Sequence, residues 1–257
     1  MYNKFSFFYA PIRPYRDWTG QHHPSSLVPA CEVDLLSTYA MIRSDERLKS
    51  LTEQLRSLND EAQRREFKST YMPFVTPCGT FVRRNARKVV GLSGLIVLDV
   101  DHLSNLEVAC RVRDRLFDDP LLQPSLAFVS PSGLGVKLFV SYIQDDPKLL
   151  GHKREDFERD GFTPTDRHLD SLGAQTLIGM NYLNTLFANE SMRNLTHQFI
   201  ECDVSGKDVS RACFLAFDPN AKLRTPFSMD NGQSSCKPRP MKLASIGEAQ
   251  PRITAKP

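Results

Sequence analysis

Apolar positions recur along this chain in two rhythms. Where they fall three and four residues apart they predict helix, and where they alternate or run together over a few residues they predict strand. Residues 5–12 are aromatic and apolar and predict a first strand. Across residues 32–67, Leu35, Leu36, Tyr39, Ala40 and Ile42, then Leu48, Leu51, Leu55 and Leu58, repeat at helical spacing. Residues 71–82 are β-like, with Pro77-Cys78-Gly79 as a turn. Residues 95–100 form an unbroken aliphatic run that predicts a strand buried on both faces. Residues 106–117 are amphipathic and helical and stop before Asp119-Pro120. Residues 125–129 and 135–142 predict two strands joined by Ser130-Pro131-Ser132-Gly133-Leu134. Residues 145–165 are charged and irregular, 170–187 predict a helix, and 199–204 and 212–217 predict short strands. Residues 19–29 read as loop, and the pair His22-His23 within it reads as solvated rather than metal-binding.

Beyond about Lys222 the periodicity is lost and Pro, Ser, Gln and Lys accumulate. The expected organisation is therefore a domain over residues 1–222 and a flexible tail or linker over 223–257. The element order predicts an α+β fold with an RRM-like or ferredoxin-like sheet, flanking helices and an N-terminal α/β unit.

The strand at 95–100 runs straight into chemistry. Asp99 and Asp101 are spaced i, i+2, so on a strand they project from one face. Two adjacent carboxylates repel unless a cation sits between them, and hard oxygen donors suit Mg²⁺ or Mn²⁺. A solvated strand end is the plainer alternative. The turn that follows combines Ser130, Ser132, Gly133 and Gly135 with Lys137. Glycines let backbone approach a ligand, and free turn amides can cradle phosphate. An ordinary hairpin with a solvated lysine is the alternative there. A third stretch, residues 201–211, supplies Asp203 and Arg211, an acid and a residue suited to phosphate. Asp208 could equally cap a turn and Arg211 form a surface ion pair. Arg83, Arg84, Arg87 and Lys88 make the densest basic cluster, either a solvated face or a grip on a nucleic-acid backbone.

Composition changes little. The 257 residues carry a net charge of +3, which neither requires nor excludes nucleic acid. No apolar run is long enough to span a bilayer, so no membrane partner is expected. The N-terminus does not read as a secretory signal. The six cysteines include no CxxC pair and no zinc-like Cys/His spacing, and read as reduced thiols of a cytoplasmic protein.

Taken in order, the Asp99-x-Asp101 strand end, the Ser130 to Lys137 turn and the stretch from Asp208 to Asp218-Pro219 resemble the archaeo-eukaryotic primase (primase-polymerase) superfamily. The nearest likeness is to the VirE N-terminal-like family of mobile-element proteins, and Thr76-Pro77-Cys78-Gly79-Thr80-Phe81 shares it. The resemblance covers roughly residues 70–220. It implies a metal-dependent nucleotidyltransferase of the primase/polymerase type acting in DNA replication of a mobile element. Its partners would be a nucleoside triphosphate, single-stranded DNA or primer-template, and a helicase domain or subunit. Asp99, Asp101 and Asp203 would be the metal ligands. Ser130, Ser132, Gly133, Gly135, Lys137 and Arg211 would bind the nucleotide. Catalytic relatives usually carry histidine where this chain has Lys137, and lysine lacks the donor–acceptor behaviour of imidazole. The alternative is a catalytically inactive nucleotide- or nucleic-acid-binding adaptor. A phosphohydrolase with Asp99 as nucleophile fits less well, because a long segment precedes the acidic strand and His102 follows it.

Overall fold

The computed structural model describes residues 4–141, 166–202 and 208–224. In chain order the strands are β1 (Phe5–Phe8), β2 (Tyr15–Arg16), β3 (His22–His23), β4 (Cys31–Val33), β5 (Phe74–Thr76), β6 (Gly79–Phe81), β7 (Val89–Leu92), β8 (Leu95–Val100), β9 (Leu126–Val129), β10 (Val136–Ser141), β11 (Cys213–Phe214) and β12 (Lys222–Leu223). The helices are α1 (Leu35–Ser44), α2 (Glu46–Ser57), α3 (Glu61–Tyr71), α4 (Leu106–Phe117), α5 (Asp166–Ala188) and α6 (Glu190–Thr196). The expected α+β class is the class observed.

Two four-stranded antiparallel sheets dominate, ordered β11-β5-β1-β4 and β12-β9-β10-β8. Side-chain alternation along β8 decides how they meet. Ile96, Leu98 and Val100 join Val112, Leu116, Met180 and Phe187 in a core beneath α4 and α5. Leu95 and Val97 turn the other way and join Phe5, Val75, Phe128 and Phe139 in a core shared with the second sheet. The Phe5 and Phe139 rings meet edge-on at 6.0 Å across that second core. Burying each such side chain contributes about 1.5–3 kcal/mol. On the helical face α5 comes very close at Gly179, where an added Cβ would lie 2.8 Å from a methyl of Leu98.

The helical stretch at 32–67 is three helices rather than one run, because aspartates interrupt it. Asp34, Asp45 and Asp60 each accept backbone N–H groups as N-caps. The segment from β8 through α4, β9 and β10 builds the split β-α-β with hairpin expected for a ferredoxin-like sheet. The last strand differs: β12 lies beside β9, not beside β8. Asp218 causes this. Its carboxylate accepts the Val129 N–H at 2.8 Å, so the chain is already held against β9 when β12 begins. Leu223 pairs with Leu126 and the Arg224 N–H donates to Ser125 O at 2.9 Å, so the sheet edge runs slightly past the expected boundary at residue 222. The tail beyond it lies outside the described residues.

Two expectations fail locally. The stretch 19–29 is not all loop, because β2 and β3 form a small hairpin. Residues 199–202 carry no strand. There the Asn184 side chain takes the place of a strand neighbour, its Oδ1 accepting the Cys202 N–H at 2.7 Å. The remainder of that predicted strand lies outside the described residues.

Asp218 also receives both 2.8 Å bonds from Nη1 of buried Arg113 on α4. One carboxylate thus ties α4 to the edge of β9. Removing one partner of a buried ion pair strands the other charge. Asp218→Ala is expected to cost about 3–5 kcal/mol, read as a drop in the midpoint of chemical or thermal unfolding.

Candidate active site

Asp99 shares the parity of Leu95 and Val97, so β8 delivers its carboxylate to the side facing the second sheet. The register of β10 sets Lys137 directly opposite. The Lys137 ammonium donates to Asp99 Oδ2. Arg211 Nη2 approaches the same oxygen at 3.5 Å. Asp208 orients that arginine through a turn: its carboxylate accepts the N–H and hydroxyl of Ser210, and its carbonyl accepts the Arg211 N–H at 2.9 Å. Asp99 Oδ1 is buried and has no hydrogen-bond partner among the described residues.

Asp101 lies just past the end of β8 and is exposed. A side chain on Gly135 would come within 2.4 Å of Val100 O, 3.0 Å of Asp101 Oδ1 and 3.1 Å of Ser130 Oγ. Only glycine admits this approach of the turn to the acids. Gly133, at φ 77°, occupies the left-handed region that suits glycine. The turn therefore stands against Asp101, and Asp99, Lys137 and Arg211 converge beside it. Asp203, the third expected acid, lies outside the described residues.

The turn is held by its own hydrogen bonds and by one arginine. Three of the turn's amides close the turn on itself. Ser130 N–H donates to Gly135 O, Gly133 N–H to Ser130 O, and Leu134 N–H to Ser132 Oγ. Arg56, from the end of α2, clamps the turn from outside, donating at 3.2 Å to the carbonyls of Pro131 and Ser130.

Lys68 on α3 is the functional candidate that sequence reasoning missed. It feels the charges of Asp99, Asp101 and Lys137, and its ammonium lies 5.6 Å from the ring centre of Phe214. No spacing rule marks it, because α3 is polar nearly all round and proximity to the acids arises only through packing. Burial, reinforced by Lys137, lowers its pKa against the pull of the two aspartates. Burial also pulls Lys137 down, but the charges of Asp99 and Asp101 outweigh it and its pKa is raised. Cys213 and Cys202 flank the acids, and burial pushes both thiols up to about 12. They are neutral near pH 7 and are not nucleophiles.

The basic cluster divides. Arg83, Arg87 and Lys88 are exposed around the short 3₁₀ turn between β6 and β7. Arg84 is partly buried, with its guanidinium carbon 5.6 Å from the Phe74 ring centre, and burial lowers its pKa. Among the described residues no helix is long and apolar enough to cross a membrane.

The family model described as BT4734-like, N-terminal domain matches residues 66–222, more than half of the chain. The chain belongs to this family. The matched span holds Lys68, Asp99, Asp101, the 130–137 turn and Arg211, so the whole described cluster falls within the BT4734-like domain. Arg56, which clamps the turn, lies upstream of it. Among curated proteins and solved structures, nothing matches.

Two outcomes follow from the electrostatics. Lys137→Met leaves Asp99 with only the more distant Arg211, and is expected to destabilise by about 3 kcal/mol in denaturant titrations. Because folding raises the Lys137 pKa above its ordinary 10.5, the pair's contribution is complete below that value and is lost as pH climbs through the folded-state value. The stability gap between wild type and Lys137→Met is therefore expected to be flat around neutrality and to close only in strong alkali. In native protein at pH 8, Cys78, Cys202 and Cys213 are expected to resist iodoacetamide until denaturant is added, as mapped by peptide mass spectrometry.

Proposed function

We propose that this cleft is a nucleotidyl-transfer site of the primase-polymerase type, taking a nucleoside triphosphate and a nucleic-acid strand. The buried Asp99 Oδ1, without a hydrogen-bond partner among the described residues, carries the reading. A carboxylate oxygen sealed from water without a donor is costly, and a metal ion is the partner that removes the cost. The donor set fits Mg²⁺ or Mn²⁺ at two points, Asp99 Oδ1 and the Asp101 carboxylate. Among the described residues no group of three metal-ligating side chains stands together, and Asp203 is the candidate for the third. Bound there, a divalent cation would screen phosphate charge and align a 3′-hydroxyl with the α-phosphate.

The chain's own residues do the rest. Lys137 and Lys68 supply point charges to a triphosphate, and Arg211 supplies a planar fork for two of its oxygens. Arg56 and the glycines fix the turn wall against which the nucleotide lies. The exposed Arg83, Arg87 and Lys88 receive the strand's backbone. The family's kinship with the VirE N-terminal-like group supports placing this chemistry in replication of a mobile element, coupled to a helicase.

A second reading rests on one ion pair. Lys137 already sits on Asp99, and an incoming cation must compete with it. If that pair is permanent, the domain binds nucleotide or single-stranded DNA as an adaptor without turnover. Incorporation of labelled nucleotide on a primer-template with Mn²⁺ separates the two. Asp99→Asn and Asp101→Asn are each expected to reduce incorporation to background, and Lys137→His to raise it. No incorporation by wild type or Lys137→His, with salt-dependent strand binding intact, selects the adaptor.

A further inference from the structure

The β2–β3 hairpin lies upstream of the family match and plays no part in the cleft described above. Its tip displays Trp18, the single tryptophan of the chain, with 87% of its surface exposed. Leaving so large an apolar side chain in water forgoes the stabilisation of burial. The tip is nevertheless firmly built. Asp17 Oδ1 accepts the Thr19 N–H at 2.9 Å, the Thr19 hydroxyl at 2.6 Å and the Gln21 N–H at 3.0 Å. Asp17 Oδ2 lies 2.9 Å from His23 Nε2. Gly20 turns the chain at φ 84°, and Arg16 donates to its carbonyl. The Tyr15 ring stacks on His23 at 4.6 Å and meets Tyr71, at the end of α3, at 6.5 Å. Lys68 lies one helical turn before Tyr71, so α3 connects the hairpin base to the acid cleft.

The surroundings are cationic. Arg13, Arg16, Arg83, Arg87 and Lys88 are all exposed, whereas Asp17 is committed to holding the tip. A cleft of about 560 Å³ joins the two regions, lined by His22, Pro24, Leu27, Val28 and Arg83. The Arg84 N–H donates to Leu27 O at 2.7 Å and fixes the basic segment along this cleft. An exposed aromatic on a hydrogen-bonded tip, with Arg16 on the same hairpin and Arg83 across the shared cleft, matches unstacked bases on a phosphate backbone.

We propose that the hairpin is a single-strand binding element, in which Trp18 stacks on a base while Arg83, Arg87 and Lys88 hold the phosphates that follow. This rests on reading the cleft as acting on nucleic acid, and it adds the element that would hold the strand leading to it.

Trp18 is its own reporter. Oligo(dT) is titrated into the full chain without metal or nucleotide while tryptophan emission is followed, and anisotropy of a labelled oligo(dT) serves for variants. Quenching is expected, with affinity falling as salt rises. Trp18→Ala is expected to weaken oligo(dT) binding roughly 5- to 100-fold with an unchanged melting temperature. Trp18→Phe keeps most of the affinity. Arg83→Ala with Arg87→Ala makes the log–log salt dependence shallower by about 0.7 per phosphate no longer neutralised. Full affinity in Trp18→Ala, equal affinity for duplex competitor, or no binding at low salt each overturns the proposal. Because metal and nucleotide are absent, these results are independent of incorporation. Binding without incorporation defeats only the catalytic reading, and incorporation without a Trp18 effect defeats only the hairpin.

Discussion

Strand β8 has two apolar neighbourhoods to satisfy, and the pleat allows it one residue for each in turn. Its even-numbered side chains must fill the space beneath α4 and α5, and its odd-numbered ones the space against the second sheet. A shift of one residue would exchange the two sets and bury Asp99 under the helices. The antiparallel register with β10 then fixes what stands opposite, and Lys137 is that residue. The charged cluster is thus a consequence of core packing, since the packing that excludes water from the sheet interface also aims the carboxylate.

A cluster placed this way is held from several directions. β8 and β10 supply the central pair, α3 brings Lys68, and the Asp208 turn brings Arg211. Arg56 reaches the turn wall from α2, outside the family-matched span. Buried charge is tolerable only when it is balanced. Asp99 is paired by Lys137 and Arg211, and Lys68 lies near enough to feel the charges of both Asp99 and Asp101.

Much of this is legible in the sequence because local rules and packing agree. Residues 95–100 and 106–117 are legible to the residue, since their patterns are unambiguous and bounded by Gly94, Asn105 and Asp118. Asp99 and Lys137 are legible as chemistry, but not their pairing, which depends on register. Lys68 and Arg56 leave no trace because they sit on polar helix faces, where nothing distinguishes a cation aimed at a partner from one in water. The strand expected at 199–204 fails over its described residues, 199–202, for a related reason. Ile200 and Cys202 are buried like strand residues, but a side-chain amide from α5 satisfies the backbone there. The 15–23 hairpin is hidden because its strands are two residues each and are held by Asp17 and by ring stacking rather than by an alternating apolar pattern.

The ammonium resting on Asp99 gives the cleft a counter-ion of its own. A protein with bare paired carboxylates would need a cation in order to settle its core, and its fold would depend on the ionic composition around it. Here a counter-ion for Asp99 Oδ2 is covalently attached, and only Oδ1 is left without a partner among the described residues. Loading a cation, as proposed above, would then be an exchange rather than an addition. On the proposed reading, a divalent cation drawing on both Asp99 oxygens would displace Lys137 from Oδ2, and an anion would be the natural partner for the freed ammonium. Cation and polyanion would on that reading be thermodynamically linked, each improving the site for the other by the same factor.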